Sequence, residues 1–410
     1  MRVTTVLRRV LGVSRTSVTG VDLEEKGLVV GVAPGNRRPR CGGCGRRAPG
    51  YDRVDVRDWR HLGIGSVRVW LRYAPRRVEC SVCGVRVERV LWAASGSLFT
   101  LAFEEMVAYV AQGTDQTKVT KLMGIAWQTV GSIVERVVER CLDPERLKGL
   151  RTIDVDDFGY RKRHRHLTLV VDHVKKRVVW ASKGRSAEVL KGFFDLLGPE
   201  GRSTISTVTV DLAGSYTKAI KDSVPWATIC CDRFHVQKLA SEAVDEVRRA
   251  EVNHAEGARA GKELKDSRFA LLRNPWNLTK KDGEKLKVIQ DTNQRLYRAY
   301  LLKKALRDAL DCLLPERAMR KLREWMAWAC RSQLKPFVRV AKTVRSHLSG
   351  VAAYLVSRQT NGFTEGINHR IRMIARRAFG FHSAEALSSM IFLNCGGIQL
   401  APALPSPTPV

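Results

Sequence analysis

Four cysteines, Cys41, Cys44, Cys80 and Cys83, fall as two CxxC pairs separated by 35 residues, and no other feature limits the fold of this chain so tightly. A CxxC turn presents two thiolates at the angle a tetrahedral ion requires, so two such turns complete the shell of one zinc ion. The glycine after each pair, Gly45 and Gly84, suits the tight turn in which backbone N–H groups face sulfur. Four protein ligands leave no open coordination position, which makes the zinc structural: it folds a ribbon too small to build its own core. The chain has ten cysteines and no apolar export segment in MRVTTVLRRVLGV, which points to a reducing cytoplasm, where paired cysteines are metal ligands rather than disulfides. Cys141, Cys230, Cys231, Cys312, Cys330 and Cys395 lack ligand spacing and read as small buried apolar residues.

Lys and Arg number 71 against 41 acids, a formal charge of +30 spread along 410 residues, while 44% of the residues are apolar and can bury cores. A folded body with such a field selects a polyanion as partner, and nucleic acid is the natural one. Neither a run of about 18 apolar residues nor a basic amphipathic helix with a clean apolar face stands out, which argues against a membrane partner. Arg46, Arg47, Arg76 and Arg77 put part of the charge on the ribbon, where a DNA backbone would meet it.

Hydrophobic period divides the chain. Residues 1–35 read as strands, and short alternating segments at 54–59, 66–73 and 77–79 lead to the second cysteine pair, giving an N-terminal unit of strands and ribbon over 1–97. From Thr100 the period is helical, and 98–148 is expected to hold a helix-turn-helix: a helix from Gln116, a turn at Gly124 and a second helix, with Val119, Leu122, Ile125, Val130 and Ile133 as the buried seam. Gln128, Thr129 and Ser132 would face a major groove, with Lys118, Lys121 and Arg136 beside the phosphates. After Leu150 three meandering strands precede a helix and strand alternation, which implies a mixed sheet carrying helices. Asp232 to Tyr354 is almost wholly helical, and the Pro-rich tail, 401–410, is expected to be disordered.

Acids stand where an apolar strand tolerates them least. In Thr152-Ile-Asp-Val-Asp-Asp157, alternation puts Asp154 and Asp156 on one face and Asp157 on the other. Val208-Thr-Val-Asp211 again ends an apolar strand on an acid, at the edge where open sheets place their sites. Glu365 begins a helix whose other charges, Arg370, Arg372, Arg376 and Arg377, are positive and suited to DNA. Carboxylates from two strands and one helix can hold two Mg2+ ions, an arrangement that activates an attacking oxygen and stabilises a leaving one in phosphodiester chemistry.

In this order the motifs resemble the zinc-ribbon, DDE-type transposases of ISL3 insertion sequences. The resemblance covers nearly the whole chain and rests on the CxxC pairs, VDDFGYRKRHRHLTLVVD, VTVDLAGSYTKAI, CDRFHVQKL and QTNGFTEGINHRIRMIARRAFGFHS. It implies a fold of α/β and all-α parts: a ribonuclease H-like catalytic domain over 149–400, with a helical insertion at about 240–355, behind the zinc ribbon and helix-turn-helix. It also implies Asp156, Asp211 and Glu365 as the catalytic triad holding two Mg2+ or Mn2+ ions, with Asp157, Asp232 and His235 as accessory residues. The implied activity is binding of terminal inverted repeats, DNA cleavage, and joining of the 3′-OH ends to target DNA. Double-stranded DNA would be the partner, and a homodimer or larger assembly the acting form, at the nucleoid of a bacterial cytoplasm. Two other functions use the same residues: a DNA-binding regulator without catalysis, and a ribonuclease H-like nuclease such as a resolvase.

Overall fold

A computed structural model of the chain describes residues 3–13, 15–35, 38–161, 165–211, 216–255, 257–359, 362–378, 380–381 and 383–402. Two compact units divide it, Met1–Asp143 with Arg376–Val410, and Pro144–Ala375.

The first unit opens with helix α1 (Val3–Val10), where the sequence predicts strands. Val3, Thr4, Thr5 and Val6 favour a strand by propensity, but Leu7 and Leu11, one helical turn apart, pack together against the neighbouring sheet and override it. That sheet holds β1 (Thr16–Glu24) and β2 (Gly27–Pro34). After β3 (Gly50–Arg53), β4 (Arg57–Ile64) and β5 (Val67–Tyr73) join it in the order β1-β2-β5-β4. Thus much of the stretch between the cysteine pairs leaves the ribbon. The reason is apolar surface: Trp59, Val69 and Leu71 need the cover that Val30, Val32 and Trp92 provide. The ribbon itself is β3, β6 (Arg76–Cys80) and β7 (Gly84–Val87), in the order β3-β6-β7.

Helices α2 (Leu101–Gly113), α3 (Gln116–Met123) and α4 (Trp127–Cys141) follow, with Thr100 and Asp115 capping the first two. Gly124 ends α3 in the left-handed conformation, as the helix-turn-helix requires. Val119, Val130 and Ile133 are buried and Ile125 is half-buried against them, but Leu122 is 70% exposed. Met123 takes its place in the seam. It lies four residues after Val119, and four residues bring a side chain back closer to the starting face than three do.

The second unit is built on β8 (Thr152–Arg161), β9 (Arg165–Asp172) and β10 (Arg177–Lys183), then α5 (Ala187–Ser203), β11 (Thr207–Val210), α6 (Thr217–Ser223) and β12 (Thr228–Cys231). Strand order is β10-β9-β8-β11-β12, antiparallel through β8 and parallel beyond it. Ile153, Val155, Val170, Val179, Val208 and Val210 meet Leu190, Phe193 and Phe194 of α5 in the core. A helical segment follows: α7 (Arg233–His254), α8 (Ala258–Asp266), α9 (Arg268–Leu272), α10 (Lys280–Thr292), α11 (Gln294–Asp311), α12 (Pro315–Arg331), α13 (Lys335–Ser346) and α14 (Leu348–Ser357). Its core, with Leu296, Leu302, Leu306, Leu322, Trp325, Phe337 and Tyr354, is continuous with Cys231 of β12. Gly350 makes that junction possible: a Cβ there would stand 2.5 Å from the Cys231 sulfur. Cys230, Cys231 and Cys395 are buried as expected, whereas Cys312 is half-buried and Cys141 and Cys330, in the last turns of α4 and α12, are exposed.

Helix α15 (Gly362–Arg377) carries Glu365, and α16 (Ala384–Cys395) returns to the first unit. Leu393 is buried among Phe103, Val107 and Val134, and the compact units part near residue 376, inside the 149–400 span expected from the sequence. The apolar face of α16 finds its cover on α2 and α4, a long-range match that local periodicity does not reveal. Of the tail expected to be disordered, 403–410 lies outside the described residues. Among the described residues no helix is long and apolar enough to cross a membrane.

Candidate functional site

The ribbon brings Cys41, Cys44, Cys80 and Cys83 together, with their sulfur atoms all within 4.8 Å of one another. Gly45 and Gly84 both adopt positive φ, 72° and 69°, which closes each knuckle in a conformation that a side chain would oppose. The N–H of Gly43 donates to Cys41 Sγ at 3.4 Å. Backbone N–H groups of Val82 and Cys83 hold the Cys80 thiol at a pKa of about 7. The Cys44 thiol, followed by desolvation, pushes Cys83 up to about 12. Four converging sulfurs, one already inclined to ionise, are the donor set of a structural zinc ion, whose binding releases the remaining protons.

In the second unit, the three acids of the TIDVDD run go to three environments. Asp154 is fully buried and accepts hydrogen bonds from Thr364 Oγ1 at 2.8 Å and His173 Nδ1 at 3.0 Å. Asp157, on the opposite face, accepts from His166 Nδ1 at 2.8 Å and pairs with Arg185 at 3.2 Å. Asp156 accepts from Asn368 Nδ2 at 2.6 Å and from the Asp157 backbone N–H at 2.7 Å. Burial raises the Asp156 carboxyl above its ordinary pKa, although both of those donors act to lower it.

Asp211 follows β11 directly. Val155 and Val210 are partners in the β8–β11 register, so Asp156 and Asp211 are the next residues along two neighbouring parallel strands. His235 Nε2 stands 3.7 Å from Asp211 Oδ2, and its Nδ1 is 3.4 Å from Asp232 Oδ2. Asp232 is fully buried and caps α7 through the Phe234 N–H. Burial pulls the His235 imidazole down, but Asp232, Asp211 and Asp156 outweigh it and hold its pKa above the usual value. Glu365 is exposed on α15, between Thr364 and Asn368, the two residues that bond to β8. Among the described residues only the four thiols form a cluster of three or more Cys, His, Asp or Glu able to hold a metal ion, so Asp156, Asp211 and Glu365 do not close into such a cluster here.

The expected DNA-facing residues divide in the same way. Arg46, Arg47, Lys118, Lys121, Gln128, Ser132, Arg370, Arg372 and Arg376 are exposed, and Thr129 is half-buried. Arg136 is committed to the fully buried Glu104 at 2.7 Å, together with Arg140 at 3.1 Å, and Arg377 donates to the Gln112 carbonyl at 3.2 Å. On the ribbon, Arg76 is held by the buried Glu88 at 2.7 Å and Arg77 pairs with Asp52. Sequence reasoning overlooked Thr364, Asn368 and His173 as site residues. Their signal was present: Thr364 and Asn368 interrupt the buried stripe Ile367, Ile371 and Ile374, where polar side chains require partners.

Comparison with known proteins agrees with the order of these parts. Residues 153–391 match a family model described as "Transposase". Residues 88–138 match the helix-turn-helix domain of transposase family ISL3, and 37–83 the zinc-finger of transposase IS204/IS1001/IS1096/IS1165. Over 99% of its length the chain is 37% identical to the transposase for insertion sequence element IS1557 of Mycobacterium tuberculosis, 98% of which is covered. It is 29% identical to the transposase for insertion sequence element IS1001 of Bordetella parapertussis, over 84% of this chain and 86% of that one.

Proposed function

The chain belongs to the ISL3 family of transposases, and from that premise we propose that it cuts DNA at the ends of its own insertion sequence and joins the 3′-OH ends to target DNA at a site formed by Asp156, Asp211 and Glu365. The observation that carries this reading is the placement of Asp156 and Asp211 one step past the paired Val155 and Val210, with the Glu365 helix bonded to the same strand through Asn368. The strand order β10-β9-β8-β11-β12 is in keeping with a ribonuclease H-like catalytic domain, in which the helical segment α7 to α14 is the insertion before the glutamate.

The residues fit a pair of divalent cations. Asp156 is a desolvated carboxylate whose hydrogen-bond donors among the described residues are amides rather than Lys or Arg, and the neighbouring Asn368 Oδ1 is a buried acceptor with no hydrogen-bond partner. When bound by these carboxylates, two Mg2+ ions would supply activation of the attacking oxygen and charge stabilisation at the leaving oxygen. The protein's part is to hold three carboxylates in place, to keep Asp156 ionised despite burial, and to orient Asp211 through His235. The helix-turn-helix presents Gln128, Thr129 and Ser132 to the terminal repeats, while Lys118, Lys121, Arg46 and Arg47 meet phosphates. Synapsis of two element ends calls for at least a homodimer on DNA.

The test is cleavage of a DNA fragment bearing the inverted repeats that flank the reading frame. Nicks leaving 3′-OH groups at the repeat ends, present with Mg2+ and lost with chelator, are expected. Undiminished cleavage in chelator, or intact repeat ends in Mg2+, contradicts the proposal.

A further inference from the structure

Strand β8 and helix α15 are tied by two side-chain hydrogen bonds between residues more than 200 positions apart: Thr364 to Asp154 at 2.8 Å and Asn368 to Asp156 at 2.6 Å. The spacing is matched. Two residues along a strand advance about 6.6 Å on one face, and four residues along an α-helix advance about 6 Å and return nearly to the same face. A slip of α15 by one residue would turn the helix by about 100° and break both bonds.

Asp154 gives the first rung its consequence. Its carboxylate is fully buried and accepts only, so Thr364 Oγ1 must donate to it. The other donor is His173 Nδ1, and the His173 backbone N–H in turn donates to the Thr152 carbonyl at 3.1 Å, which anchors that residue at the start of β8. Thr364 is itself fully buried. Glu365 follows immediately, and lies three residues before Asn368, on the azimuth beside the bonded face.

We propose that Asp154 and Thr364, with Asn368 as the second rung, are positioning residues: they form a clamp that fixes the rotation and depth of α15 and thereby sets Glu365 opposite Asp156 and Asp211. The proposal rests on the reading of Glu365 as a catalytic carboxylate. The place of Asp154 in the acidic run suggests a metal ligand, but the clamp gives it a different role, that of ordering the helix which carries one. A buried carboxylate deprived of a donor draws another donor toward it, and that response displaces the helix.

Substitution at Thr364, measured on the full chain, separates a hydrogen-bonding role from packing. Thr364→Val keeps the shape and removes the donor; Thr364→Ser keeps the donor and removes a methyl group. For Val the clamp predicts a 10- to 100-fold loss in kcat for repeat-end cleavage at unchanged KM for DNA. It also predicts a several-fold weaker Mn2+ affinity, read without DNA from the free-Mn2+ resonance. Ser should stay within about twofold of wild type in both readouts. A packing role predicts the reverse order. Should the Val variant lose its cooperative melt, Ser, Cys and Ala at 364 complete the series: rates falling as Ser, Cys, Ala follow donor strength and support the clamp, whereas Cys above Ser follows volume and overturns it. Glu365→Gln is run alongside. If it cuts normally, both the triad and the clamp fall; if it is inactive while Thr364→Val matches wild type, the clamp alone falls.

Discussion

Asp156→Asn should yield a protein that folds at least as stably as wild type and cuts no DNA. Burial raises the Asp156 pKa in the folded chain, so the folded state binds its proton more tightly than the unfolded state. As pH rises from the unfolded pKa through the raised folded one, that group withdraws stability, and above the folded pKa the whole penalty is present. Asn removes the charge at nearly the same volume. Both hydrogen bonds can survive the change: the Asp157 N–H still donates to the new Oδ1, and Asn368 can turn its amide so that Oδ1, which lacks a partner among the described residues, accepts from the new Nδ2. Catalysis loses a carboxylate from the cation site, and cleavage should fall on the order of a thousand-fold or more. Thermal melting without metal, cleavage of repeat-end DNA and DNA affinity together check the result. Retained cleavage removes Asp156 from the triad; a lower melting temperature with lost cleavage makes it an ordinary structural acid. Asp211→Asn should match the loss of activity with little change in melting, since that side chain is 37% exposed.

The second large effect belongs to the ribbon. Its buried cluster amounts to Cys41, Ala48, Val78 and Cys80, with Cys83 packed against it, so most of what holds three short strands together is the ligand set itself. Without the ion such a fold has almost no apolar burial to offset chain entropy. Cys44 is exposed, so Cys44→Ser perturbs ligation without opening a cavity. Bound zinc, measured by elemental analysis, should drop from one equivalent to a small fraction. Recognition of repeat ends should weaken by about ten- to a hundred-fold, while the nonspecific, salt-sensitive component from the rest of the +30 chain persists. A variant that retains its zinc dismisses the tetrathiolate site.

What could be read in the sequence was what local chemistry determines. The cysteine spacing and Gly45 and Gly84 define the knuckles because ligand geometry and positive φ are properties of a few adjacent residues. The helix-turn-helix and the strands bearing Asp156 and Asp211 follow from period. What escaped is contributed by partners far along the chain. Helix α1 is held by Leu7 and Leu11 on a sheet, β4 and β5 leave the ribbon for the cover of Trp92, and α16 packs on α2 and α4, more than 240 residues away in sequence. Arg136, expected beside phosphates, pairs with Glu104, an acid buried in α2 and 32 positions away in sequence. At the site, the run TIDVDD allowed three choices of acid; Thr364, Asn368 and His166, none adjacent in sequence, give Asp154, Asp156 and Asp157 different hydrogen-bond partners.

Anomalous scattering from Mn2+ in a crystal of the chain bound to repeat-end DNA bears most directly on the central claim. Two peaks about 3.5–4 Å apart, each roughly 2.0–2.3 Å from carboxylate oxygens drawn from Asp156, Asp211 and Glu365, are the predicted result. Ions bound elsewhere, or Glu365 oxygens beyond about 6 Å of any peak while Asp156 and Asp211 bind, contradict it.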